Sequence, residues 1–108
     1  SGVDTLNGGL GNDTFDYNAI GDSGTTPTTR DTIIGFEIGD IIDLSTIAGT
    51  FAYIGNAAFA SNTTNQLRWQ VSGLDTIVQL DNDTSNDVDS SILLQGYLGG
   101  LTSANFIV

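Results

Sequence analysis

A nine-residue step governs the start of the chain. Asp4 and Asp13, Thr5 and Thr14, Leu6 and Phe15, and Gly2 and Gly11 each stand nine residues apart. The full unit, Gly-Gly-x-Gly-x-Asp-x-apolar-x, is carried by Gly8, Gly9, Gly11, Asp13 and Phe15. Glycines let the chain turn with positive φ, the Asp turns a carboxylate inward, and the apolar residue two places later begins a short inward-facing strand. A hard cation that takes about 6 to 8 oxygens is served by such turns when they stack, because turn carbonyls and carboxylates of successive loops converge on it. Calcium is therefore the expected cofactor, with Asp4, Gly9, Gly11 and Asp13 as its first candidate ligands. The competing reading is a glycine-rich hairpin with no metal.

The chain resembles the repeats-in-toxin (RTX) family at these residues. Its remainder is similar to the domain that closes such a roll in serralysin-type metalloproteases and in modules of mannuronan C-5 epimerases. The resemblance is carried by Asp31-Thr32-Ile33-Ile34-Gly35-Phe36 and by Gly39-Asp40-Ile41-Ile42-Asp43-Leu44-Ser45. It continues through Phe51 to Phe59, Leu67 to Trp69, Asp81 to Asp89 and Leu101 to Val108. The resemblance implies an all-β fold, a short parallel β-roll merging into a β-sandwich cap. It also implies a non-catalytic module that folds on calcium after type I secretion, in an extracellular setting. One domain is expected over 1–108, with the end of the roll at 1–20, a loop at 21–30 that contains Pro27, and the cap at 31–108 with a carboxyl-terminal secretion signal. Ser1 stands at the third position of a nonapeptide, so the chain is expected to be the last part of a longer protein.

Composition narrows the function independently. Thirteen acids against Arg30 and Arg68 leave a net charge of −11 without a single lysine. Nucleic acid and anionic membrane surfaces are disfavoured partners, because the field repels them. The same self-repulsion opposes compaction, and divalent cations relieve it. With no His and no Cys in the chain, zinc sites of the usual kind and His- or Cys-based nucleophilic machinery cannot be built. A small cysteine-free domain needs another staple, and calcium can serve. No secretory leader and no apolar run of about 18 residues occurs, so membrane insertion is not expected.

The Asp period outlasts the glycine period. Asp4, Asp13, Asp22, Asp31 and Asp40 are all nine apart. A two-sided roll brings loops on one edge together every second turn, which pairs Asp13 with Asp31 and Asp4 with Asp22. Asp22, Asp31 and Asp40 are thus further candidate ligands, or else turn residues whose carboxylates cap backbone amides. A second acidic loop runs from Asp81 to Asp89. Asp81, Asp83, Ser85, Asp87 and Asp89 fill the first, third, fifth, seventh and ninth positions of an EF-hand-like loop, but Asn86 stands where glycine is usual and Ile92 where a bidentate Glu is. A solvated hairpin turn is the alternative.

Strands are expected at 14–18, 31–36, 40–44, 51–55, 66–72, 75–80 and 90–95, where apolar or alternating runs lie between Gly, Asn, Asp, Ser and Thr clusters. Single helical turns are expected at 45–49 and 102–105, with Ser45 and Thr102 as N-caps. Trp69 and Tyr97 invite a sugar-platform reading, and an accessory polysaccharide-binding or adhesin module is the alternative function. Alternation in 66–71 puts Leu67, Trp69 and Val71 on one face, which favours a core role for Trp69. The last eight residues resemble the terminus of serralysin-type export substrates, with Asn105 in place of the usual acid. The resemblance implies that they serve the type I exporter, an apolar last strand being the physical alternative; residues 105–108 contain no carboxylate side chain and are expected to be dispensable for calcium.

Overall fold

The computed structural model describes residues 4–26, 28–37, 39–47, 51–57, 65–82, 88–98 and 100–108. Nine strands are assigned among them: β1 (Thr5–Asn7), β2 (Thr14–Asp16), β3 (Asp31–Ile34), β4 (Ile41–Asp43), β5 (Ala52–Tyr53), β6 (Gln66–Ser72), β7 (Asp75–Asp81), β8 (Ser90–Gln95) and β9 (Phe106–Ile107). The domain is all-β, with both parallel and antiparallel pairings. One sheet has the order β1-β3-β8-β7-β6-β5 and the other the order β2-β4-β9. No helix among the described residues is long and apolar enough to cross a membrane.

The short nonapeptide strands are held by what they stack on. Parallel pairing aligns Leu6 with Ile33 and Ile33 with Leu94 in the larger sheet. In the smaller sheet it aligns Phe15 with Ile42 and Ile42 with Phe106. Side chains on one face recur with period two, so each strand commits one central apolar residue to the interior. Phe15, Ile33, Ile42, Leu94 and Phe106 all belong to one buried cluster, against which Leu6 packs. At about 1.5 to 3 kcal/mol for each fully buried large apolar side chain, these rows hold strands of three residues that no local propensity could.

β6, β7 and β8 form the antiparallel part, with Leu67 opposite Leu80 and Val78 opposite Ile92. β8 also pairs in parallel with β3, so it joins the repeat strands to the hairpin. Trp69 is half-buried against the core cluster. Its indole N–H donates to the Tyr53 hydroxyl at 2.9 Å, and that hydroxyl donates to the Leu101 carbonyl at 2.8 Å. Tyr97 is buried and meets Phe36 edge-on at 5.1 Å. Val71 does not share the burial of Leu67: it is 56% exposed, because the hairpin tip runs past the core and leaves Leu74 exposed as well.

Of the expected helical turns, the second forms as a 3-10 turn at Ser103–Asn105, with the Thr102 side chain accepting from Ala104 N–H. Residues 45–47 form a turn rather than a helix, and 48–49 lie outside the described residues. An unforeseen 3-10 turn occupies Ile20–Asp22. The loop that follows is fastened to β8: the Ser90 hydroxyl donates to Ser23 O at 2.6 Å, and Ser91 N–H donates to Gly24 O at 2.9 Å.

Candidate metal centre

The turn between β1 and β2 has the conformation that its glycines imply. Gly9 and Gly11 have φ of 70° and 88°, values that cost an L-residue and cost glycine nothing. Asn7 Oδ1 accepts the Gly9 N–H at 3.0 Å. Leu10, at the tip, is 95% exposed. The Asp13 side chain folds back across this turn, and a Cβ added to Gly8 would stand only 2.7 Å from Asp13 Oδ2. Gly8 is thus the residue that leaves room for the carboxylate.

Asp13 itself is held by its backbone. Its N–H donates to Asp40 Oδ1 at 2.8 Å, and its carbonyl accepts from Ile41 N–H at 2.8 Å. With the main chain fixed, the carboxylate is confined to the few rotamers of its two side-chain torsions. Asp13 Oδ2 is buried and has no hydrogen-bond partner in the protein. A buried acceptor in that state carries a desolvation penalty of about 1 to 3 kcal/mol, more if charged. A hard cation with oxygen preference fits this atom, and the carbonyls of the same turn are the further donors at hand.

The same backbone arrangement occurs at the other edge. Asp4 N–H donates to Asp31 Oδ1 at 2.9 Å, and Asp4 O accepts from Thr32 N–H at 2.9 Å. Both links span 27 residues. The expected pairing of Asp13 with Asp31 and of Asp4 with Asp22 is therefore corrected: Asp4 meets Asp31, and Asp13 meets Asp40. The reason lies in residues 17–26 and 28–30, which form the 3-10 turn and the loop fastened to β8 rather than another pair of short stacked strands. The nine-residue step survives, but a turn on one edge returns after three units.

This register sorts the acids. Asp31 and Asp40 are buried, and their carboxylates are engaged by backbone amides; Asp40 Oδ2 also accepts the Glu37 N–H at 2.9 Å. Asp22 Oδ2 caps the amides of Asn18 and Ala19 at 3.0 and 3.1 Å. Asp4 is exposed. Beside Asp31 lies the Tyr17 hydroxyl, buried and close to the carboxylate without meeting hydrogen-bond geometry. Burial first, and then Asp31, push its ionisation well above the ordinary tyrosine value. At the second acidic loop, Asp81 is buried and receives Gln66 Nε2–H at 3.4 Å, while Asp89 Oδ2 accepts Asn82 N–H at 2.9 Å. Asp83, Ser85 and Asp87 lie outside the described residues.

Among the described residues no three acids come together as a metal-binding group. An ion at Asp13 would accordingly be completed by carbonyl oxygens and water rather than by a cluster of acids from the described residues. Asp40 takes the amide-capping role that the sequence offered as its alternative, although its pairing with Asp13 was not foreseen. One participant escaped the sequence reading and has no local signature: Asn105, whose Nδ2–H donates to Asp40 O at 3.2 Å.

Residues 1–108 match the family described as Peptidase M10 serralysin C terminal. No curated protein matches the chain.

Proposed function

The chain belongs to the serralysin C-terminal family of M10 peptidases, a family of secreted, calcium-binding RTX-type modules, and from that premise we propose that this non-catalytic domain is switched into its folded form by calcium at the Asp13 turn. The observation that carries the reading is the buried, unpartnered Asp13 Oδ2 in a turn built by Gly9 and Gly11. Calcium supplies the missing counter-charge there and tolerates a sphere made largely of carbonyls. The chain's own residues do the positioning: Asp40 fixes the Asp13 backbone, and Gly8 leaves room for the side chain. Asp4 is the corresponding candidate on the other edge, with the acidic loop at 81–89 as a third. Asp22, Asp31 and Asp40 act as amide caps rather than ligands.

The parallel pairings of β1 with β3 and of β2 with β4 support reading the repeat strands as the end of a roll, and β6 to β8 as the main part of its cap. Family membership supports export through a type I system, our reading takes the terminal segment as the part recognised, and such export gives the metal dependence a purpose. In calcium-poor cytosol the net charge of −11 and the uncompensated carboxylate favour the open chain. Outside, the metal binds only the folded form and draws the equilibrium over. Ligand at 100 times its dissociation constant adds about 2.7 kcal/mol per site, a large part of a small domain's stability. Thermal unfolding in chelator and in millimolar calcium is the test. The midpoint rises with calcium and much less with magnesium, which demands a tighter octahedral shell; coincident curves in chelator and calcium refute the reading.

A further inference from the structure

We propose that Asn105 is a positioning residue for the Asp13 turn, so that the carboxyl-terminal strand and the calcium loop stabilise each other. The inference rests on the calcium reading above. The link runs through Asp40, which is fully buried. Its Oδ1 accepts the Asp13 N–H, and its neighbour Ile41 donates to the Asp13 carbonyl. On its other side the Asp40 carbonyl accepts Nδ2–H of Asn105, a residue 65 positions later. Asn105 is itself buried, and its Oδ1 accepts Thr102 N–H at 3.0 Å, closing the turn from which β9 departs. β9 then pairs with β4, and Leu44 N–H donates to Ile107 O at 2.7 Å.

In this chain asparagine serves both contacts. It accepts from Thr102 and donates to Asp40 at once, whereas an ionised acid is acceptor-only and would set a carboxylate against the Asp40 carbonyl. The 3-10 turn explains the Oδ1 contact but not the Nδ2 contact, which reaches the clamp on Asp13. On this proposal the last residues are not dispensable for calcium. They supply no ligand, yet they hold the residue that holds the ligand. Coupling of this kind is reciprocal, so calcium must also tighten the docking of β9.

Calcium titration calorimetry on the 108-residue chain, with Asn105→Asp and Thr102→Ala variants, tests this. Asn105→Asp is expected to weaken calcium binding about three- to tenfold, the equivalent of one lost hydrogen bond. Added negative charge alone would raise affinity for a cation, so a loss isolates the missing donor. Thr102→Ala loosens the same turn by removing the acceptor of Ala104 N–H but spares the Asp40 contact, and is expected to change affinity less than about twofold. Unchanged or tighter binding by Asn105→Asp, or an equal loss in both variants, overturns the coupling while calcium binding itself stands. A wild-type chain that takes up no calcium overturns both readings. If Asn105→Asp does not fold, hydrogen exchange of the wild type decides: calcium slows the Leu44 amide by a larger factor than the Val78 amide in the hairpin sheet, and equal slowing at both sites refutes the link.

Discussion

The two edges of the repeat region share a backbone and differ in almost everything around it. At each, an Asp gives its N–H to the carboxylate of another Asp 27 residues on and receives an N–H from the residue after it. At the Asp4 edge the accepting residue is Asp31, flanked by the Tyr17 hydroxyl and by Ser23, whose Oγ accepts the Asp31 N–H at 2.8 Å. At the Asp13 edge the accepting residue is Asp40, whose second oxygen takes Glu37 N–H and whose carbonyl takes Asn105. Asp4 remains exposed, while Asp13 presents a buried oxygen without a partner. The repeat thus sets a main-chain geometry that recurs, and residues outside the repeat decide which copy presents a buried carboxylate oxygen without a partner.

The comparison breaks first on stability. Asp40→Ala removes the acceptor of two amides from a fully buried site, and at about 1.5 to 3 kcal/mol for each hydrogen bond to a charged group the loss is expected to reach about 3 kcal/mol or more. Asp31→Ala removes the acceptor of Asp4 N–H and is expected to cost about half as much. Urea denaturation in chelator measures both, and equal losses would mean that the two clamps do the same work. The next largest difference concerns the metal. Asp13→Asn is expected to raise stability in chelator, since it removes the charge from a buried oxygen that has no protein partner, but to weaken calcium at least tenfold, about 1.4 kcal/mol. Asp4→Asn, at an exposed position, is expected to have the smaller effect; calorimetry giving the reverse order would move the principal site to the other edge.

The smallest effect belongs to Asp43. Its Oδ1 accepts the Ser45 hydroxyl at 2.6 Å and the Ser45 N–H at 2.9 Å, which hold the carboxyl below its ordinary range. A folded-state pKa below the unfolded one means that the contribution is present above the unfolded value and is lost as pH falls through the folded one. The thermal midpoint of Ser45→Ala should therefore match the wild type at low pH and fall slightly below it near neutrality. A gap that widens on acidification has the wrong sign for this interaction.

How much of this was legible depended on distance along the chain. β6 and β8 lie where the sequence puts them, and β7 differs by one residue at its end, because alternation and β-branched runs are local. Asp13 and its glycines stood out for the same reason, being contained within one nonapeptide. The stacking partner was not legible. Nine-residue spacing is equally compatible with returns after two units or three, and what decides is whether 17–26 and 28–30 pair as strands or fasten to β8. Trp69 was correctly read as packing on the core, but Val71 followed its periodicity out into solvent, since alternation says which face a residue takes and not how far the core extends. Asn105 was invisible as a clamp because its partner is 65 residues away.

The position of β9 bears on when the domain can fold. The smaller sheet is closed by parallel pairings between strands far apart in sequence, β2 with β4 and β4 with β9. Such long-range pairings are slow to form, because the intervening chain must be gathered first. They also impose a topological condition: Phe15, Ile42 and Phe106 must occupy the same compartment before their row exists. A chain passing extended through a channel too narrow for a sheet cannot complete that row until all three residues have emerged. The order of the strands thus makes closure of the smaller sheet the step that waits until both ends of the domain have been gathered.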